Sequence, residues 1–446
     1  MLSLKYSING RKTLKIKTKE MPYEEVLKLP RPRHKNPLKP SLFFRSLVRI
    51  AADADLRDAK FTYSKGDTER AGKGPYLILM NHSSFIDLEI VSKILYPKPY
   101  CIVCTSDGFV GKEWLMRHIG CIPTQKFVCD ITLIRDMFYA VKKMKTSVLM
   151  YPEASYTFDG TATPLPRKLG ALLKKLDVPV ISIHTNGAFQ RDPLYGGLKK
   201  RRVKVSADVS VLATREEIAE KSTDELDALL DKAFTFDNFD WQYKNKIEVN
   251  EPFRADGLER ILYKCASCGA EGHMKGSGTE ISCSVCGKKY TMDSLGRLTS
   301  SDGNTKFSHI PDWYSWERDC VRKEIESGKY LLDTDVKIGV MVDYKAIYMI
   351  GDGHLTHNSD GFHLTGADGK LDYTQKPLSS YGLYSDYYWY EIGDVICIGN
   401  RDILYYCFPK KDGVVAKTRI AAEELFKIEK NRTKAKIWNN MHPESV

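Results

Sequence analysis

The sequence predicts an α/β domain followed by two smaller units, a four-cysteine metal module and a β-rich unit ending in a helix. Three observations carry this. Short apolar runs alternate with segments of helical periodicity between residues 76 and 184, as in an α/β layer arrangement. Two C-x2-C pairs, Cys265/Cys268 and Cys283/Cys286, stand fourteen residues apart. Beyond residue 330, Asp-Gly pairs at 352–353, 360–361 and 368–369 punctuate β-branched and aromatic runs, as hairpin turns would. At 446 residues the chain has room for two or three domains.

The N-terminal region is basic. Thirteen Lys/Arg against three Glu within residues 1–50 place +10 of the total net charge of +11 there. Residues 1–40 therefore read as a basic arm on a nearly neutral body, suited to an anionic membrane surface or to nucleic acid. In "SLFFRSLVRIAAD" (41–53), Phe43, Phe44, Leu47, Val48 and Ala51 share one helical face, with Arg45 and Arg49 elsewhere. Such a helix either lies in a membrane interface or packs that face on its own protein. No apolar run approaches the ~20 residues of a membrane span, and the N-terminus lacks a signal peptide's apolar core. Eleven Cys, four of them in a metal-type cluster, do not read as a disulfide ladder. The expectation is a cytoplasmic protein, peripheral on the inner face of the membrane.

Residues 41–250 form the α/β domain. The run 76–80 (YLILM) suits a buried strand, and 85–95 (FIDLEIVSKIL) has helical spacing. Between them lies "NHSSFID". Ser84 and Asp87 match a capping box, which makes His82 a loop residue in the plainest reading. His82 follows a buried strand, however, and open α/β sheets place ligands at the carboxyl ends of their strands. Glu153, after the run 147–151, shares that position. No G-x-S-x-G elbow occurs, so a serine hydrolase is disfavoured, and Ser83 and Ser155 read as cap or turn residues.

N-H-x4-D at 81–87, "HIGCIPTQKF" at 118–127, "YPEAS" at 151–155 and V-P-V at 178–180 occur in one order. In that order and spacing they resemble the glycerolipid acyltransferases, typified by 1-acylglycerol-3-phosphate acyltransferases, over roughly residues 41–215. The resemblance implies that His82 is the general base and that Asp87 orients it. It implies substrate binding by Lys126, Glu153, Ser155 and Gly120, with Lys126 where the family usually has a phosphate-binding Arg. The chain departs from the usual F-P-E-G-T-R with Ala154, Ser155 and Tyr156. These exchanges bear on phosphate recognition more than on the chemistry, since Lys offers a point charge where Arg offers a fork.

Cys265, Cys268, Cys283 and Cys286, with Gly269 and Gly287 after the knuckles, fit four-thiolate coordination of structural Zn²⁺. Iron is the minor alternative. Residues 255–300 resemble a zinc ribbon. Cys101 and Cys104, three apart in a strand, should face opposite sides and form no site. A linking helix is expected over 310–330. Residues 331–432 then form a β-rich domain with a C-terminal helix at about 414–430, similar in outline to a pleckstrin-homology domain. His354, His357 and His363 read as surface or half-buried residues.

The whole reads as an O-acyltransferase. Its donor would be acyl-CoA or acyl carrier protein, and its acceptor a lysophospholipid or glycerol-phosphate hydroxyl such as that of lysophosphatidate. The alternative is a non-catalytic zinc-ribbon protein that binds nucleic acid or membrane through its basic arm. Few basic residues and no aromatic–basic stripe surround the ribbon, which argues against nucleic acid.

Overall fold

A seven-stranded sheet organises the α/β domain. Its strands are β1 (Thr62–Lys65), β2 (Leu77–Met80), β3 (Tyr100–Thr105), β4 (Cys121–Thr124), β5 (Ser147–Met150), β6 (Val180–Asn186) and β7 (Ser206–Ala213). The computed structural model describes residues 5–6, 12–13, 15–128, 130–166, 168–197 and 199–441. The spatial order is β1-β7-β6-β2-β5-β3-β4, parallel except for the antiparallel pair β6–β7. The apolar run 76–80 becomes the central strand because both sheet faces are covered. Ile78 and Met80 pack on one side with Ile90 and Val91, while Leu77 and Leu79 pack on the other with Leu173 and Leu176. Cys101 and Cys104 fall on opposite faces in the same way.

Two helices frame the first strands, α1 (Leu42–Asp58) and α2 (Asp87–Leu95). Ala52 and Leu56 of α1 pack on the sheet, whereas Leu42, Phe43, Leu47 and Ile50 are exposed by 54, 70, 42 and 72%. Phe44 turns instead onto Trp114 and His118. The capping box expected at α2 is only half formed. Asp87 accepts from the Ser84 amide, but the Ser84 hydroxyl is buried without a partner and caps nothing.

Beyond the α/β domain, four antiparallel strands carry the cysteines: β8 (Met274–Ser277), β9 (Glu280–Cys283), β10 (Lys289–Met292) and β11 (Leu298–Ser300). Helix α3 (Ile310–Glu326) follows. The C-terminal sheet contains β12 (Leu332–Met341), β13 (Ile347–Asn358), β14 (Gly361–Gly366), β15 (Leu371–Gln375), β16 (Tyr384–Trp389), β17 (Gly393–Gly399) and β18 (Leu404–Pro409). Its order is β15-β14-β13-β12-β18-β17-β16, and no pairing joins β15 to β16 among the described residues. Helix α4 (Val414–Met441) covers it and runs well past the predicted end at 430.

Three expectations change. The basic arm is not free from residue 15 onward. Thr18–Glu20 adds a parallel strand to β13, and Tyr23 and Val26 of the helix Tyr23–Lys28 enter the core. Apolar residues at helical spacing outweigh the local charge here. Residues 1–4, 7–11 and 14 of that arm, including Arg11, lie outside the described residues, as does Cys129. The three C-terminal units are also not separate. One hydrophobic cluster joins Phe158, Phe189 and Tyr195 of the α/β domain to Cys265, Trp313, Tyr387 and Leu425.

The third change concerns the Asp-Gly pairs. Asp360-Gly361 and Asp368-Gly369 lie at turns, but Asp352-Gly353 sits within β13. There glycine serves a close approach rather than a turn. A Cβ at Gly353 would fall 2.3 Å from Ile338 Cδ1 and 2.4 Å from the Thr365 carbonyl oxygen. Gly353→Ala is expected to destabilise the chain by about 1–3 kcal/mol, read as a lower denaturation midpoint, whereas Gly369→Ala meets no neighbour and is strained only by its φ of +82°.

Candidate active site and metal site

The site forms where β2 ends. The NHSS segment cannot continue the sheet, because its amides are claimed by buried side chains. The His82 amide donates to Glu153 Oε2 (3.0 Å), and the Ser83 and Ser84 amides donate to Asp87 Oδ2 (2.8 and 3.1 Å). The His82 carbonyl accepts from the Thr157 amide (3.1 Å), and Asn81 is bound to the backbone of Thr185. The three consecutive amides of His82, Ser83 and Ser84 and the His82 carbonyl are thus held.

The imidazole is held as well. His82 Nδ1 lies 3.0 Å from Asp87 Oδ2, which leaves Nε2 as the nitrogen available to the cavity that His82 lines. Tyr151 and Tyr156 flank the ring on both sides, with centroids 4.0 and 3.9 Å away. Burial, and then the nearby Lys126 charge, depress the His82 pKa well below its ordinary value. Burial pushes the Asp87 carboxyl up, against the pull of the two serine amides. A neutral imidazole beside a hydrogen-bonded carboxyl group has the arrangement of a general base and its orienter.

The cavity measures about 1580 Å³. Leu133, Met137, Met150, Leu165 and Leu172, neighbours in one hydrophobic cluster, give it an apolar branch within the α/β domain, and Lys126 stands on a more polar side. That side is closed by the C-terminal units, with Tyr384, Asp386 and Tyr388 from the sheet and Phe426 from α4.

Of the predicted residues, His82 and Asp87 are brought together and Lys126 faces the same cavity. Glu153, Ser155 and Gly120 stand behind its wall, which differs from the substrate contact their motif positions imply. Glu153 is fully buried, its second oxygen taken by the amide and hydroxyl of Thr163. Ser155 accepts from Arg419 Nη2 at 2.9 Å. Gly120 adopts φ +93° in the turn before β4, where a Cβ would meet the Tyr100 carbonyl oxygen at 2.8 Å.

Sequence reasoning missed Arg419. Its guanidinium, buried in α4, also lies 4.1 Å from the Phe158 ring centre and 3.5 Å from the Tyr156 carbonyl oxygen. It thereby fastens the turn that aims Tyr156 at His82. The only signal for it in the sequence was the missing arginine of the third motif, and nothing there pointed 263 residues onward to its source.

The four cysteines converge. Their sulfurs all lie within 4.8 Å of one another, with Cys265–Cys286 at 3.7 Å and Cys268–Cys283 at 3.8 Å. Four thiolates bound at ~2.3 Å around one tetrahedral ion would be ~3.8 Å apart, so the set fits a metal ion. Gly269 and Gly287 adopt φ +77° and +72°, and the Lys288 amide beside Cys286 brings that thiol down to about 7. His354, His357 and His363 are engaged elsewhere: His357 is buried against Phe362, while His354 and His363 pair with aspartates.

Residues 61–185 match the family model described as Acyltransferase. The chain is also similar to the crystal structure of the 1-acyl-sn-glycerophosphate (LPA) acyltransferase PlsC from Thermotoga maritima. That similarity has 15% identity and a TM-score of 0.33, covering 43% of this chain and 76% of that one. No curated protein matches the chain. By the family match, residues 61–185 of the α/β domain are an acyltransferase domain. The cysteine cluster and the C-terminal sheet lie outside the matched residues.

Two measurements follow from this geometry. Elemental analysis is expected to find one metal ion per chain. Cys268→Ser should lose it and lower the thermal midpoint by on the order of 5 °C or more, because Cys265 and Cys283 belong to the shared core. Arg419→Gln should increase the amide exchange of residues 154–158, while the distant β8–β11 amides stay unchanged.

Proposed function

We propose that the domain moves an acyl group from a thioester donor, acyl-CoA or acyl carrier protein, to the free hydroxyl of a lysophospholipid-type glycerolipid. The observation that carries this is the His82–Asp87 pair set in the wall of a cavity with an apolar branch. His82 Nε2 takes the proton of the acceptor hydroxyl as its oxygen attacks the thioester carbonyl. Asp87 holds the ring by Nδ1 and balances the imidazolium. Collapse of the tetrahedral adduct expels the thiolate, which recovers the proton from His82, and no serine nucleophile is required. Lys126 would hold the acceptor's phosphate, and the apolar branch an acyl chain.

The four cysteines would hold a structural Zn²⁺, since four thiolates leave no open coordination position. At the membrane, the exposed Leu42, Phe43, Leu47 and Ile50 of α1, with the 65%-exposed Trp114, would enter the interface of the cytoplasmic leaflet beside the basic N-terminal region. Among the described residues no helix is long and apolar enough to cross a membrane.

Labelled acyl thioesters incubated with lysophospholipid acceptors test the chemistry. His82→Ala and Asp87→Asn should each lower kcat/KM by roughly 10²–10⁴-fold with metal content unchanged; equal rates in wild type and His82→Ala would overturn the mechanism. Because burial lowers the His82 pKa, the base form persists into acid. The acid limb of the kcat/KM profile should therefore fall below ~6.5, the ordinary imidazole value. Phe43→Glu with Leu47→Glu should weaken co-sedimentation with anionic vesicles by roughly tenfold or more without changing solution turnover of short-chain acceptors.

A further inference from the structure

Strand β16 forms one wall of the cavity, to which all of its residues but Ser385 contribute. Tyr384 and Asp386 line the space, while Ser385 between them does not. The Lys126 ammonium lies 4.3 Å from the centre of the Tyr384 ring and 5.9 Å from that of Tyr156, the ring stacked on His82. Asp386 stands one pleat further along, about 7 Å away. A positive and a negative group thus follow each other along the wall, beginning one aromatic ring from the imidazole.

Two other carboxylates nearby are occupied, and Glu391, which also lines the cavity, is exposed. Asp394 pairs with Arg260 (3.3 Å), and Asp107 accepts from the Trp389 indole (3.1 Å) and the Tyr384 hydroxyl. Asp386 accepts only the amide of Tyr387 (2.9 Å), and among the described residues neither it nor Lys126 has an ion-pair partner. Burial raises Asp386 to about 6 against the pull of Lys126, so it is ionised at neutral pH. Tyr388 and Tyr390 beside it line the cavity with φ of +52° and +46°, conformations that ordinary packing does not favour.

We infer that this wall selects the acceptor's head group, and that the head group is zwitterionic, with its phosphodiester on Lys126 and its ammonium on Asp386 and the neighbouring aromatic faces. The inference rests on the acyl-transfer reading for the identity of the ligand as an acceptor. A phosphomonoester such as lysophosphatidate carries nearly two negative charges on one phosphate. Against the β16 wall it would meet the Lys126 ammonium with a carboxylate one pleat away, although further lysines line the cavity elsewhere. A phosphate and an amine joined by a two-carbon bridge place opposite charges in the order that the wall presents them. Aromatic faces suit the amine whether primary or quaternary.

The test compares short-chain lysophosphatidylethanolamine, lysophosphatidylcholine, lysophosphatidylglycerol and lysophosphatidate on the full chain. Turnover and equilibrium binding are both measured, for wild type, Asp386→Asn and Asp386→Glu. Wild type should favour the two amine-bearing acceptors by roughly tenfold or more in KM and in binding. Asp386→Asn should abolish that preference at nearly constant kcat, and Asp386→Glu should retain it. Preference for lysophosphatidate or lysophosphatidylglycerol, or a preference untouched by Asp386→Asn, would overturn the inference. Selective binding of the amine-bearing lipids without acylation of any acceptor would sustain the head-group site and overturn the acyl-transfer reading. Unchanged metal content and thermal midpoint in both variants separate a lost contact from a lost fold.

Discussion

Two buried carboxylates hold one turn of backbone, and the rest of the site depends on that. Asp87 binds the amides of Ser83 and Ser84 together with the imidazole of His82, while Glu153 binds the His82 amide and Thr163. A carboxylate buried without donors would be costly, so each of these is sustained by the amides it orders. The arrangement also couples two distant stretches of chain. The segment after β2 and the segment after β5 cannot shift separately, because each supplies what the other's buried polar groups need. The direction of the imidazole follows from this lock rather than from the side chain's own rotamer preference.

The same economy of buried polar groups draws the C-terminal units into the domain. Arg419 of α4 satisfies Ser155 and the Tyr156 carbonyl, and Asp107 is satisfied by Tyr384 and Trp389 of β16. Glu423 and Glu424 of α4 receive Arg318 and Arg322 of α3. Since Glu423 and Glu424 are themselves buried, removing their arginine partners leaves a buried charge, which is more disruptive than losing a surface pair. The cavity is therefore a property of the whole chain. Its apolar branch belongs to the α/β domain, and its polar wall is contributed from residues 378–391 and α4.

Local patterning made much of this legible. The YLILM run became the central strand, because a continuous apolar run of that length has few alternatives to burial on both faces. His82 and Asp87 were legible as a pair, since five residues spanning a strand end and a helix start bring them together without help from elsewhere. The cysteine pairs converge by the geometry of their own knuckles. Reading failed where local chemistry permits two outcomes. Ser84 followed by Asp87 satisfies a capping pattern, and Asp87 both accepts from the Ser84 amide and holds His82, yet the Ser84 hydroxyl caps nothing. Asp352-Gly353 satisfies a turn pattern, yet the glycine accommodates Ile338 across the sheet. Tyr23 and Val26 were hidden by the lysines and arginines around them.

The sequence by itself determined the strand order's local ingredients, the His82–Asp87 pair, and the four-cysteine set. Each depends on residues close in the chain, whose relative position is settled by strand and helix geometry. Only the tertiary structure decided that Glu153, Ser155 and Gly120 stand behind the wall, that Arg419 fastens the turn beside His82, and that Asp386 faces the cavity with Lys126. Those outcomes depend on which buried polar group finds its partner across hundreds of residues. A hydrogen bond of that kind leaves no periodicity in the sequence, because its two ends are chosen by packing rather than by spacing.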